Sequence, residues 1–183
     1  MEHPSAAGPA AGPAVGPAAG AALSIREPLP GEADAIAGVQ NTAWAETYAG
    51  RVPESFYDEA ARERRRGMWE GLLASSELAE GRRIARVAAV DGAPVGVALS
   101  GPCTEAHAAR DEQLFILYVL AAHQGRGLGG ALLEAVLGGR PAQLWVAEGN
   151  TRALGFYRRH GFALDGGAEL DESFGPRELR MVR

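Results

Sequence analysis

The sequence predicts one domain of mixed α/β class, a mostly antiparallel central sheet with helices on both faces. Three observations carry this. The apolar run Leu114 to Leu120 passes through a glycine-rich turn, Gln124 to Gly130, into an apolar helix face of Ala131, Leu132, Leu133, Ala135, Val136 and Leu137. The apolar runs Arg83 to Val90 and Pro94 to Leu99 flank Asp91-Gly92-Ala93, and Asp-Gly between such runs signals a hairpin. Strand and helix periods then alternate to the end of the chain, with no internal repeat.

The elements follow in order. Leu23 to Glu27 alternates and reads as a first strand. Glu32 to Tyr48 carries Ile36, Val39, Ala43, Trp44 and Tyr48 near helical spacing, an amphipathic helix that Gly50 to Pro53 interrupts. A second helix is expected from about Glu54 to Leu73, with Phe56, Ala60, Met68, Trp69, Leu72 and Leu73 as its apolar set. Arg62, Arg64, Arg65 and Arg66 within it read as a solvated face partnered by Glu59 and Glu63, in preference to a phosphate clamp. The hairpin comes next, then a polar loop over 101–111 and the strand from Leu114. Gly138 to Pro141 ends the following helix, and Gln143 to Ala147 is a short strand. A strand–helix–strand unit over 114–147 requires a parallel pair. Thr151 to His160 is helical and stopped by Gly161. Phe162 to Leu164 and Glu178 to Val182 are the last strands, separated by Gly166 to Pro176.

Composition bounds the function. The chain has 183 residues, enough for a sizeable core, and is 46% hydrophobic and 22% charged. A net charge of −5 argues against a nucleic-acid or anionic-membrane surface, so neither partner is expected. The single cysteine, Cys103, excludes an intrachain disulfide and fits a reducing compartment, hence a cytoplasmic location. Residues 1–22 place Pro9, Pro13 and Pro17 after glycines in an alanine background. That Ala/Gly/Pro-rich stretch is expected to be a disordered tail rather than a secretory signal, leaving residues 23–183 as the domain.

Strand, glycine turn and helix start together suit a phosphate, because uncovered N–H groups converge at a positive helix end. Two patterns compete for it. Gly125-x-Gly127-x-x-Gly130 matches the dinucleotide fingerprint, and Glu148 falls near the position of its ribose-binding acid. Against it, Ala121-Ala122-His123-Gln124 separates strand from turn, and about one further parallel strand follows. The other pattern is Gln124-x-x-Gly127-x-Gly129.

With that second pattern the chain resembles the GNAT superfamily of acetyl-coenzyme A-dependent N-acetyltransferases, over about residues 23 to 183. The resemblance rests on the strand Leu117-Tyr118-Val119, the turn Gln124-Gly125-Arg126-Gly127-Leu128-Gly129, Asn150 after the next strand, and Phe156-Tyr157-Arg158-Arg159-His160-Gly161-Phe162. Trp44-Ala45-Glu46-Thr47-Tyr48-Ala49-Gly50 is also similar to bacterial members.

The resemblance implies a GNAT fold and acetyl-coenzyme A as co-substrate. Leu117, Tyr118 and Val119 would meet the pantetheine arm through main-chain groups, with a free N–H near Val119 polarising the thioester. Gln124, Gly125, Arg126, Gly127, Leu128, Gly129 and Gly130 would wrap the pyrophosphate. Asn150 would both meet pantetheine and cap the helix after it. Tyr157 would act as general acid. The base is open. Relatives carry a glutamate immediately before this strand, where Gln113 stands; Glu112 is adjacent, but a one-residue shift turns it to the other face unless a bulge re-aims it. Glu148, His107 and a water chain are further candidates, and Trp145 occupies another subgroup's glutamate position. No metal is expected. The expected acceptor is a small-molecule amine, lined by the first two helices with Trp44, Tyr48, Phe56 and Tyr57; core packing is the favoured role for Trp44. A protein N-terminus or lysine is the alternative acceptor, and an inactive acyl-coenzyme A-binding domain the non-enzymatic alternative. A homodimer is common in the family.

Overall fold

The computed structural model describes residues 22–170 and 177–183. The tail expected over 1–22, apart from Ala22, and residues 171–176 of the last connection lie outside them. The described residues form a sheet of seven strands. These are β1 (Leu23–Arg26), β2 (Ile84–Val90), β3 (Ala93–Pro102), β4 (Glu112–Val119), β5 (Gln143–Ala147), β6 (Ala163–Glu169) and β7 (Glu178–Val182). Their order is β1-β2-β3-β4-β5-β7-β6. Neighbours are antiparallel except β4 and β5, the parallel pair that the strand–helix–strand unit demanded.

Helices α1 (Ala33–Tyr48) and α2 (Glu59–Leu73) cover one face, with the short α3 (Ser76–Ala79) after them; α4 (Leu128–Leu137) and α5 (Thr151–Arg159) cover the other. Each face has its own core. On the α1 side, Ile36, Ala37, Trp69, Val87, Val97 and Leu99 pack together, and the buried Trp69 Nε1 donates to Gln40 Oε1 at 3.0 Å. On the α4 side, Leu132, Leu133, Val136, Leu137, Leu144 and Met181 do so. Truncating any of these leucines to alanine costs about 2–5 kcal/mol.

Local chemistry explains most boundaries. Asp91 (φ 49°) and Gly92 (φ 86°) form the two-residue turn joining β2 and β3, with both residues at positive φ as such a hairpin requires. The second helix begins at Glu59 instead of Glu54. The Asp58 side chain caps it by accepting from Ala61 N–H at 2.7 Å, and Glu54–Phe56 form a separate 3-10 turn. The arginine run is mostly the solvated face expected. Arg62 pairs with Glu59 and Asp34, and Arg66 with Glu63 and Glu70. Arg65 departs from it. It is half-buried, donates to Asn41 Oδ1 and to the Phe56 carbonyl, and lies over the Trp44 ring. Strand β6 runs on to Glu169, past the Gly166-Gly167 pair that reads as a loop. The pairing slips there, and a Cβ on Gly167 would meet the Arg180 side chain at 2.8 Å.

Candidate active site

Between β4 and β5 the sheet comes apart. All of β4 pairs with β3, whereas only Gln113 and Leu114 pair with β5. The register between β3 and β4 slips at this point: Leu99 faces Ile116 and Ser100 faces Leu114, leaving Phe115 as the extra, bulged residue. A bulge bends its strand, and β4 leaves β5 where the bulge lies. Its second half therefore has one side without a strand partner. Leu120 N–H donates to Val95 C=O on β3, so strand alternation turns the backbone groups of Leu117 and Val119 toward the gap.

The gap opens into a cleft of about 250 Å³. Its walls include Leu117 and Tyr118 of β4, Trp145 and Val146 of β5, Asn150 and Tyr157 of α5, Trp44 and Tyr48 of α1, and Glu178 of β7. An open hollow of about 330 Å³ over Gly67, Met68 and Leu72 holds none of the residues singled out by motif.

Beyond Val119 the chain makes a 3-10 turn and enters the glycine turn. Gln124 ties the two together, its side-chain amide donating to Val119 C=O at 2.7 Å. Gln124 Oε1 and His123 Nδ1 are buried there without a hydrogen-bond partner among the described residues. Gly127 caps α4 in the left-handed region (φ 81°), which costs a residue with a Cβ about 1–2 kcal/mol. The first helical bond runs from Ala131 N–H to Gly127 C=O, so the N–H groups of Leu128, Gly129 and Gly130 have no helical acceptor. A Cβ on Gly129 would stand 3.3 Å from the Phe156 ring, and one on Gly130 would stand 3.1 Å from His160 Nε2. Both glycines thus let α5 lie close against the first turn of α4. Arg126 is exposed beside them.

Asn150 stands at the start of α5 on the cleft wall. Its Oδ1 caps α5 by accepting from Ala153 N–H at 3.0 Å, and its Nδ2 points into the cleft toward the Tyr48 hydroxyl at 3.4 Å. Tyr157 sits two turns further along α5 on the same cleft, edge-on to Phe156 and Phe162. Burial, with Tyr48 second, pushes the Tyr157 phenol well above its ordinary value, so it carries its proton at neutral pH. Burial does the same to Tyr118, with Tyr48 and Tyr157 adding to it. Trp44 is part of the cleft wall, tilted against Tyr48 and stacked on Phe56. Tyr57 is outside it, its carbonyl accepting from Asn41.

The candidate bases fall elsewhere. Glu112 pairs with Arg140 at 3.1 Å, and the bulge lies at Phe115, beyond the point where it could re-aim Glu112. Glu148 pairs with Arg177 at 2.8 Å. His107 is exposed, its carbonyl taken by Arg180. Two features escaped the motif pattern. One is a polar network: Glu105 accepts from both Gln143 and Trp145, and Gln113 accepts from Gln143 and Cys103, which lashes the 101–111 loop to β5. A buried glutamine in the otherwise apolar Gln143–Ala147 run was its only sequence signal. The other is Glu178, which reads in sequence only as the polar start of a strand. Among the described residues no group of three or more His, Cys, Asp or Glu is placed to hold a metal. No helix among them is long and apolar enough to cross a membrane.

A family model described as an acetyltransferase (GNAT) domain matches residues 81–164, a stretch that holds β4, β5 and α5 but not the Trp44, Tyr48 and Glu178 walls of the cleft. A probable N-acetyltransferase of Mycobacterium tuberculosis is 29% identical over 147 residues, 79% of this chain and 82% of that protein. Among solved structures, the PaiA N-acetyltransferase of Thermoplasma acidophilum, in complex with coenzyme A, superposes with a TM-score of 0.68 at 19% identity, covering 88% of this chain and 98% of that one. A protein of Corynebacterium glutamicum described as histone acetyltransferase HPA2 and related acetyltransferase does so with a TM-score of 0.63 at 22% identity, covering 87% and 94%.

Proposed function

Because the chain belongs to the GNAT superfamily of acetyltransferases, we propose that it transfers an acetyl group from acetyl-coenzyme A to the primary amine of a small molecule, by direct attack in a ternary complex. The observation that carries the reading is the parting of β4 from β5, with Tyr157 in the cleft it opens and the α4 N-terminus following β4 in the chain.

The residues present suit the co-substrate. The N–H groups of Leu128, Gly129 and Gly130, reached through the uncovered backbone of Gly125 and Gly127, suit a pyrophosphate. Leu117 and Val119 present strand-like backbone groups to an amide-bearing arm, and Asn150 adds an amide. Acetyl-coenzyme A supplies an activated acyl carbonyl and a thiol leaving group. Val119 N–H faces the gap as a preorganised donor for a carbonyl oxygen that gains charge. Tyr157, protonated and apolar in its surroundings, holds the proton that the departing sulfur needs.

A panel of primary amines assayed for thiol release from acetyl-coenzyme A tests this. At least one amine accelerates release and gains an acetyl group visible by mass spectrometry; release that is indifferent to every amine sinks the proposal.

A further inference from the structure

The cleft that holds Tyr157 also holds a carboxylate. Glu178 opens β7, pairing across to Ala147 of β5 on one side and Glu169 of β6 on the other. Among the described residues that line the cleft, it is the sole ionised side chain. The rings of Trp44, Tyr48 and Trp145 line the same cleft; Arg65 lies over one face of Trp44 and Arg180 over one face of Trp145, and a ring face attracts cations and offers nothing to anions. Of the other carboxylates near this end of the sheet, Glu148 is engaged by Arg177 and Glu105 by Gln143 and Trp145, while Glu169 faces Glu178 from β6 without lining the cleft.

We propose that Glu178 receives the ammonium group of the acceptor amine and takes its proton, so that the cleft selects cationic alkylamines over neutral or carboxylate-bearing molecules. The proposal rests on the acetyltransferase reading and names its acceptor class. An ammonium has no lone pair and cannot attack. One N–H bond breaks and its proton goes to the Glu178 carboxylate. The freed lone pair forms the C–N bond at the acyl carbon while the C–S bond breaks, its electrons going to sulfur. Sulfur takes the Tyr157 proton, the nitrogen's second proton restores Tyr157, and Glu178 releases its own to water. One proton leaves per turnover.

The surroundings of Glu178 favour this role. Glu169 faces it from β6 and Tyr48 from α1, while its chain neighbour Arg177 is held by Glu148. Burial, with Glu169 second, raises the Glu178 carboxyl above its ordinary value although the side chain still reaches solvent at the cleft mouth. A carboxylate shifted this way is a better base near neutral pH and still gives up its proton.

The test uses the full chain with coenzyme A present and reads binding by the fluorescence of the cleft tryptophans. Wild type binds benzylammonium at least about tenfold tighter than the isosteric, neutral benzyl alcohol, and Glu178→Gln, with an unchanged melting temperature, erases that preference. In turnover with benzylamine, Glu178→Gln lowers kcat/KM by about a hundredfold or more and removes the acidic limb of the pH profile. Wild type that fails to prefer the ammonium, or a preference that survives in Glu178→Gln, overturns the proposal. The acetyltransferase reading fails separately, on thiol release: absence of release with the ammonium preference intact removes the reaction and leaves the cation site.

Discussion

At the scale of single residues, the chemistry divides between side chains that a motif can announce and side chains that only the folded sheet brings in. Asn150 and Tyr157 stand seven positions apart, and helix geometry makes that spacing meaningful: two turns along α5 put a cap and a phenol on the same cleft. Both were legible through the family resemblance, whose motif carries that spacing, and one helix sets their relation. Glu178 was not, since it reaches the cleft through the β5–β7 pairing and nothing local distinguishes it from any polar strand residue. The two α5 residues can be tested apart. Tyr157→Phe removes the proton and little else, so kcat falls by about a hundredfold or more while calorimetry finds coenzyme A affinity unchanged; an unchanged kcat removes Tyr157 from the acid role. Asn150→Ala loses the bond from Ala153 N–H and about 1 kcal/mol of stability. Asn150→Asp restores the cap but has no N–H for the cleft, so the melting temperature recovers while KM for acetyl-coenzyme A stays raised. Recovery of both by aspartate reduces Asn150 to a cap.

At the scale of elements, β4 is the strand on which the site depends, and its two edges differ. The apolar run announced a buried strand, and the hydrophobic pattern was enough to place it between two cores. The bulge at Phe115 left no mark in that pattern, because Leu114 to Leu120 is apolar throughout and no alternation exists to be broken. Hence the strand was legible in that pattern, whereas the open edge beside it was implied only by the family resemblance, through the free N–H expected near Val119. The gap has a residue-by-residue signature in amide exchange. Leu120 N–H is bonded to β3, and by alternation so is Tyr118 N–H; Leu117 and Val119 face the opening. Without ligand, the amides of Leu117 and Val119 exchange faster than those of Tyr118 and Leu120, and saturating coenzyme A slows the first pair selectively. Uniform protection along 117–120 in the free protein rules out the open edge.

At the scale of the whole molecule, the sheet is two pieces sharing a short seam. Strands β1 to β4 form one and β5, β7 and β6 the other, joined in the sheet by the two pairs Gln113–Gln143 and Leu114–Leu144. Helix α4 and its core bridge them from one face, and the Glu105–Gln143–Gln113 network ties the loop end. A ligand that lies along β4, reaches Asn150 and ends on the α4 turn therefore touches both pieces and binds only where they are correctly joined. Such a ligand stabilises the native state by RT ln(1 + [L]/Kd), about 2.7 kcal/mol at a hundredfold excess over Kd. For a chain of this length that raises the melting temperature by about 5–10 °C. Gly127→Ala strains the left-handed cap, so it melts lower in the free state, and its shift with coenzyme A shrinks because the misplaced N–H groups hold the pyrophosphate less well. NADH offers a pyrophosphate too but no pantetheine arm for β4, and so gives a shift of a few tenths of that size at equal concentration. Comparable stabilisation by NADH and coenzyme A, or an undiminished shift in Gly127→Ala, breaks the link between the parted strands and the glycine turn on which the coenzyme A reading stands.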